Sequence, residues 1–286
     1  MTNDKLLKLC TIASVSVATT LVITKLLAYF LTDSVAILSS LTDSTMDMLL
    51  SFVNFFVIRY SLMPADKEHK YGHGRMEDLA AFTQALIIFG VAVTIGYEAC
   101  QRILNPVEVK VTPLAISVMV FSLIATTSLV LFQHHVYKKT NSNIIKADSV
   151  HYLTDILSNS AIIASLIIGH FFEIPYLDPA LAIMIALYIL HEAFEVAEAA
   201  FNNLMDRQFE DELIIKIDEL IKSHPKVLGY TDLRTRRAGR KEFVQFNFTT
   251  DGNRTLNEAH DISHELEEIL IKEFPNAEFN IHQEPA

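Results

Sequence analysis

Four residues in two apolar stretches carry the pattern of a metal site. Asp43 and Asp47 stand four apart in SSLTDSTMDMLLSFVNFF, and His151 and Asp155 stand four apart in IIKADSVHYLTDILSNSAII. Positions four apart on an α-helix lie about 6 Å along the axis and roughly 40° around it, so each pair shares one helix face. Two such faces meeting would join three carboxylates and an imidazole. That nitrogen–oxygen set suits a tetrahedral divalent metal, zinc first. A charge at mid-membrane costs about 2.5–3.5 kcal/mol on insertion scales, so several in apolar runs need a reason. A single aspartate is accounted for by interhelical hydrogen bonding or an ion pair with Lys25; two pairs on separate helices are not. Asp148, three residues before His151, reads as a gate or helix-end charge nearer the water rather than as a ligand. A second group is Asp66, His69 and His73: an acid and two histidines within eight residues, beside Gly72 and Gly74. Such a loop can wrap one ion, and an ordinary charged loop is the alternative.

The elements that must hold these residues follow from hydropathy. A bilayer core needs roughly 20 mostly apolar residues in helix. Six runs qualify: 9–31, 35–60, 79–101, 112–136, 147–171 and 177–200. Within lipid the backbone must satisfy its own hydrogen bonds, so runs of this length read as helices. The first run is too long for a signal-peptide core, and no small-residue cleavage site follows it. Lys5, Lys8, Arg59, Lys67, Lys70, Arg75, Lys138, Lys139 and Lys146 fall on one side, against Arg102 and Lys110 on the other. The basic excess marks the cytoplasmic side, which puts both termini there.

Composition supports two regimes. Of 286 residues, 51% are hydrophobic and 20% charged, with a net charge of −11. Residues 207–286 hold 27 of the charged side chains in 80 positions, far above the density of residues 1–206. The division expected is a six-helix transmembrane domain, 1–206, and a small cytoplasmic α+β domain, 207–286. In the latter, 209–224 reads as a helix and 227–237 and 242–250 as strands. A second helix at about 255–273 is capped by Thr255 with Glu258 three residues on. A last strand, 278–283, completes αββαβ. Two cysteines, Cys10 and Cys100, exclude a disulfide framework and a Cys-ligated zinc module. The acidic balance disfavours nucleic acid as a partner. No nucleophile–base set or cofactor fingerprint appears, which argues against an enzyme and against a prosthetic group.

Five motifs carry a resemblance: L-T-D-S-x-x-D at 41–47, P-A-D-x-x-H-x-Y-G-H-G-R at 64–75, A-D-S-x-H-Y-x-x-D at 147–155, L-M-D-R at 204–207 and D-L-R-T-R at 232–236. Together they resemble the cation diffusion facilitator family, and most closely its bacterial zinc and ferrous-iron efflux pumps. The resemblance implies a homodimer in the bacterial inner membrane, a metallochaperone-like cytoplasmic domain, and exchange of a divalent metal for protons. It implies that Asp43, Asp47, His151 and Asp155 form the transport site. A pair of aspartates on the second span is the family pattern that admits Fe2+ or Cd2+ beside Zn2+. It further implies a loop metal site at Asp66, His69 and His73, and a charge pair, Arg75 with Asp206, near the dimer contact. The tail departs from the pattern, because Thr231 and Asn247 stand where these relatives carry histidines. Neither is a good zinc ligand. One tail ion is then expected to be lost, with the other held by His260, His282 and Glu284, and His264 as a substitute ligand. His134, His135, His170, His191 and His224 are given no metal role.

Chemistry links these ligands to transport. Zinc needs deprotonated ligands, so metal arrival expels protons and proton arrival expels metal. If the empty charged site is disfavoured, the protein switches sides only when loaded, which is antiport. A channel with the same acids as a selectivity ring, or a membrane metal sensor, are the competing readings.

Overall fold

The computed structural model describes residues 2–32, 35–104, 113–171 and 177–286. Six long helices come first: α1 (Asn3–Thr32), α2 (Val35–Ser61), α3 (Arg75–Leu104), α4 (Pro113–Thr140), α5 (Asn143–Phe171) and α6 (Leu177–Leu204). Then follow α7 (Asp211–Lys222), β1 (Gly229–Ala238), β2 (Lys241–Thr250), α8 (Leu256–Glu273) and β3 (Ala277–Pro285). Two compact units result: Met1–Pro64 with Met76–Phe201, and Ala65–Arg75 with Asn202–Ala286. The segment 65–75, which the sequence division leaves with the membrane part, therefore packs with the second unit.

In the first unit, five helices are long and apolar enough to cross a membrane among the described residues: 3–31, 40–61, 75–104, 116–140 and 179–204. The sixth expected span corresponds to α5, a helix of 29 residues, several of whose later side chains lie outside the described residues. Large apolar side chains point outward, among them Phe56, Phe89, Leu131 and Phe194. Small residues point inward: Ala81, Ala85 and Ala92 of α3 share a core with Ala193 and Ala200 of α6. Lipid offers no hydrophobic drive between helices, so close approach through alanines supplies the packing instead.

Polar groups tie the helix ends. Ser61 Oγ of α2 and Ser142 Oγ just before α5 donate to the buried Glu77 carboxylate at 2.9 and 2.6 Å. Asn143 Nδ2 donates to Asp78 at 2.7 Å. Both acids sit in the first turn of α3, where the helix dipole favours negative charge.

The second unit is αββαβ as expected. The sheet order is β1-β2-β3, with β1 and β2 antiparallel and β2 and β3 parallel. Val244, Phe246 and Phe248 alternate along β2 and pack with Ile217 and Ile221 of α7 and Ile262, Leu266 and Leu270 of α8. The Thr255–Glu258 capping box is present and starts α8. Phe243, on the opposite face of β2, meets Tyr71 edge to face at 5.5 Å between ring centres. Gly74 and Gly239 allow this: a Cβ on Gly74 would stand 2.3 Å from the Ala238 carbonyl oxygen. Gly239 lies in the left-handed region at φ +60°, and a Cβ there would stand 2.7 Å from the Gly74 carbonyl oxygen.

Candidate metal centre

Helices α2 and α5 bring three of the four expected ligands together. Ligand atoms of Asp47, His151 and Asp155 all lie within 4.8 Å of one another. His151 Nε2 stands 3.0 Å from Asp47 Oδ1, and Asp47 keeps only 9% of its surface exposed. Zinc bonds of about 2.0–2.2 Å place tetrahedral ligand atoms roughly 3.3 Å apart, so these three atoms could hold one ion by drawing closer together. Ser51 and Tyr152 share a 2.7 Å hydrogen bond that fastens α2 to α5 next to these ligands. Asp43, one turn before Asp47, is exposed and falls outside the group of three.

Asp148 is not a wet helix-end charge. It is buried, with 1% of its surface exposed. Its Oδ1 accepts from Asn54 Nδ2 at 2.8 Å, and its Oδ2 from Ser14 Oγ at 3.0 Å and Gln133 Nε2 at 2.6 Å. Asn54 also donates to Gln84 Oε1 at 3.2 Å, so side chains of α1 to α5 join in one network. The sequence reading missed Ser14, Asn54, Gln84 and Gln133. Their signal was there: amides within apolar runs are as costly to bury unpartnered as other polar groups, and so imply partners.

The loop residues also converge, within the second unit. Asp66, His69 and His73 place ligand atoms within 4.8 Å of one another. Asp66 lies 3.3 Å from His73 Nε2 and 3.5 Å from His69 Nδ1. The backbone N–H groups of His69 and Glu68 donate to Asp66 at 2.6 and 2.8 Å and hold its carboxyl below the usual range. Arg75 pairs with Asp206, and Asp206 also faces Arg236 at 3.4 Å. The Arg236 guanidinium lies over both Tyr71 and Phe243, at 4.7 and 4.6 Å from the ring centres. Tyr71 and Arg236 fall within the motifs at 64–75 and 232–236, but their contact could not be read from them because it depends on the docked loop.

The tail ligands do not assemble. Among the described residues, the ligand groups that gather are the two above, and neither includes His260, His282 or Glu284. Asn247 donates to the Glu284 carboxylate at 3.0 Å, so the asparagine that replaces a ligand engages its neighbour by a hydrogen bond. His260 and His264 are exposed on α8 with ring centres 4.6 Å apart, and His264 faces Glu267 at 3.7 Å. His224 is buried against Glu265 at 2.7 Å, a structural pairing. His170 lies outside the described side chains.

Comparison with known proteins identifies the family. Residues 11–205 match the cation efflux transmembrane domain, and residues 209–286 match the cytoplasmic domain of cation efflux proteins. The chain is 40% identical over 282 residues to the cation-efflux pump FieF of Shewanella oneidensis, covering 99% of this chain and 95% of that one. It is 39% identical over 281 residues to the FieF of Pectobacterium atrosepticum, covering 98% and 93%. Protein p34 of Rickettsia prowazekii is 36% identical over 287 residues, covering 99% and 94%. A solved chain of CzrB, 32% identical, covers 27% of this chain and 98% of its own at a TM-score of 0.27. With a matching membrane domain, a matching cytoplasmic domain and full-length relatives, the chain belongs to the cation efflux family, the cation diffusion facilitators.

Proposed function

We propose that this protein exports a divalent metal from the cytoplasm in exchange for protons, with zinc as the preferred ion and Fe2+ and Cd2+ also accepted. The observation that carries the reading is the cluster of Asp47, His151 and Asp155 on two long helices of the first unit. Asp43 completes the set as fourth ligand by a side-chain rotation, since it shares a helix face with Asp47. Metal binding requires the cluster to give up protons, and protons returning down their gradient displace the metal. The working protein is a homodimer in the inner membrane with both termini in the cytoplasm, as the basic residue count implies. The division at 206/207 separates transport from regulation, except that the docked loop with Asp66, His69 and His73 joins the regulatory side as an ion site that senses cytoplasmic metal. The Arg75–Asp206 pair belongs to the dimer contact.

Metal uptake into proteoliposomes under a set pH gradient tests this, run for zinc, Fe2+ and Cd2+. Saturable flux that collapses with the gradient is expected. Flux that follows the metal gradient alone would establish a channel instead.

A further inference from the structure

Lys25 is the sole charge in the apolar core of the first expected span, and no step above uses it. It is buried, with 9% of its surface exposed. Its Nζ donates to Ser44 Oγ at 2.6 Å and to the Ser40 carbonyl at 3.1 Å, both on α2. Ser44 lies between Asp43 and Asp47 on that helix. The ammonium is therefore tethered by serine and backbone oxygens beside the acid cluster. Asp43 and Asp47 flank Ser44 on the same helix, one residue before it and three after it. A buried ammonium is costly unless opposite charge lies close by, and the carboxylates beside its serine anchor on α2, Asp43 and Asp47, are among those that would take the metal.

We propose that Lys25 is the tethered counter-cation of the empty transport site: it balances the carboxylates when no metal is bound and, by repelling a bound divalent ion, keeps metal affinity low enough for release. The inference rests on the transport-site reading above. The tether matters because an ammonium free to swing would occupy the site itself. Held by Ser40 and Ser44, it repels the bound ion without filling the ligand positions.

Two neutral variants and one charged variant separate charge from shape. Lys25→Gln keeps donors for Ser40 and Ser44 and removes the charge; Lys25→Met removes charge and donors; Lys25→Arg keeps the charge. Zinc binding is measured on the full-length protein in mild detergent, in an Asp66→Ala background that silences the loop. Flux is measured in proteoliposomes. Charges close together at reduced dielectric couple strongly, so both neutral variants should bind zinc about tenfold or more tightly, with maximal flux down about fivefold or more. Lys25→Arg should stay near wild type in both. Should one neutral variant fail to fold, the other carries the same expectation. Unchanged or weaker zinc binding in the neutral variants overturns the proposal. Asp155→Ala, measured alongside, separates the two levels. If it still binds and transports zinc, the transport-site reading fails; if it is dead while Lys25→Gln behaves as wild type, only the role of Lys25 fails.

Discussion

Replacing Gly74 by alanine should loosen the loop that carries Asp66, His69 and His73. The new Cβ would stand 2.3 Å from the Ala238 carbonyl oxygen and 3.0 Å from its carbon, about 1 Å inside ordinary contact. Both walls are backbone, so neither yields by a rotamer change. Overpacking a tight site costs about 1–3 kcal/mol. The alternative is to release the loop, which forfeits its aromatic and cation contacts. The Tyr71–Phe243 edge-to-face pair is worth about 0.5–1.5 kcal/mol, and the Arg236–Tyr71 contact about 0.5–1 kcal/mol at exposed sites. The surface ion pair of Arg75 with Asp206 adds about 0–1 kcal/mol. The chain takes whichever route is cheaper, so the loss should be about 1–3 kcal/mol. The control is Gly90→Ala in α3, where a Cβ meets nothing within 4 Å. A helical glycine replaced there should leave stability unchanged or raise it by up to about 1 kcal/mol. Equilibrium unfolding of the full-length protein in mild detergent with chelator reads both, and metal titration reads the loop. If Gly74→Ala matches Gly90→Ala in stability and binds metal at the loop as wild type does, the docked-loop argument is wrong.

Three further outcomes follow from the same geometry. Asp47→Ala and Asp155→Ala should each abolish metal flux in proteoliposomes while leaving a folded protein, whereas His151→Asp should keep flux and lose preference for zinc, because a harder oxygen replaces nitrogen. Thr231→His with Asn247→His should raise the number of tightly bound zinc ions per protomer in equilibrium dialysis; an unchanged count would show that residues beyond these two set the tail's capacity. The Tyr230 hydroxyl donates to Asp218 at 2.5 Å, which pushes its phenol up to about 12. A pKa raised by folding stabilises fully below the ordinary phenol value of about 10 and is lost as pH climbs through the folded value. The stability gap between wild type and Tyr230→Phe should therefore close between about pH 10 and pH 12 in alkaline unfolding curves.

Much of this architecture could be read from the chain because its signals are local. Apolar runs of twenty or more residues leave helix as the only backbone solution in lipid, and α1 to α6 follow them. The Thr255–Glu258 box and the alternation of Val244, Phe246 and Phe248 are likewise local, and both appear where expected. What could not be read was tertiary. The i,i+4 rule puts Asp43 on the face of Asp47 but does not choose its rotamer, and Asp43 stands outside the gathered ligands. The docking of 65–75 onto the second unit depends on Gly74 and Gly239 meeting across more than 160 residues of chain. The Glu284 carboxylate looked like a free ligand because nothing in sequence shows that β2 and β3 run side by side with Asn247 within reach.

Asp148 shows why acid residues in an apolar run cannot be sorted by spacing alone. It lies three residues from His151, close enough in sequence to pass for a member of the ligand set. Its partners decide otherwise. A hydroxyl and two amides aim their protons at its oxygens, and Glu77 and Asp78 near the helix ends receive serine and asparagine donors in the same way. Hydrogen bonds of this kind stabilise a carboxylate where it stands and occupy most of the lone pairs a metal would need. Asp47 and Asp155 instead face an imidazole and each other. An imidazole can surrender its proton to make room for a metal, and two carboxylates side by side repel until a cation joins them. The first arrangement is complete without an ion and fixes the helices; the second is incomplete without one. The acids of the first unit thus divide by the protons that meet them, and that division, rather than depth or spacing, is what the proposed transport site rests on.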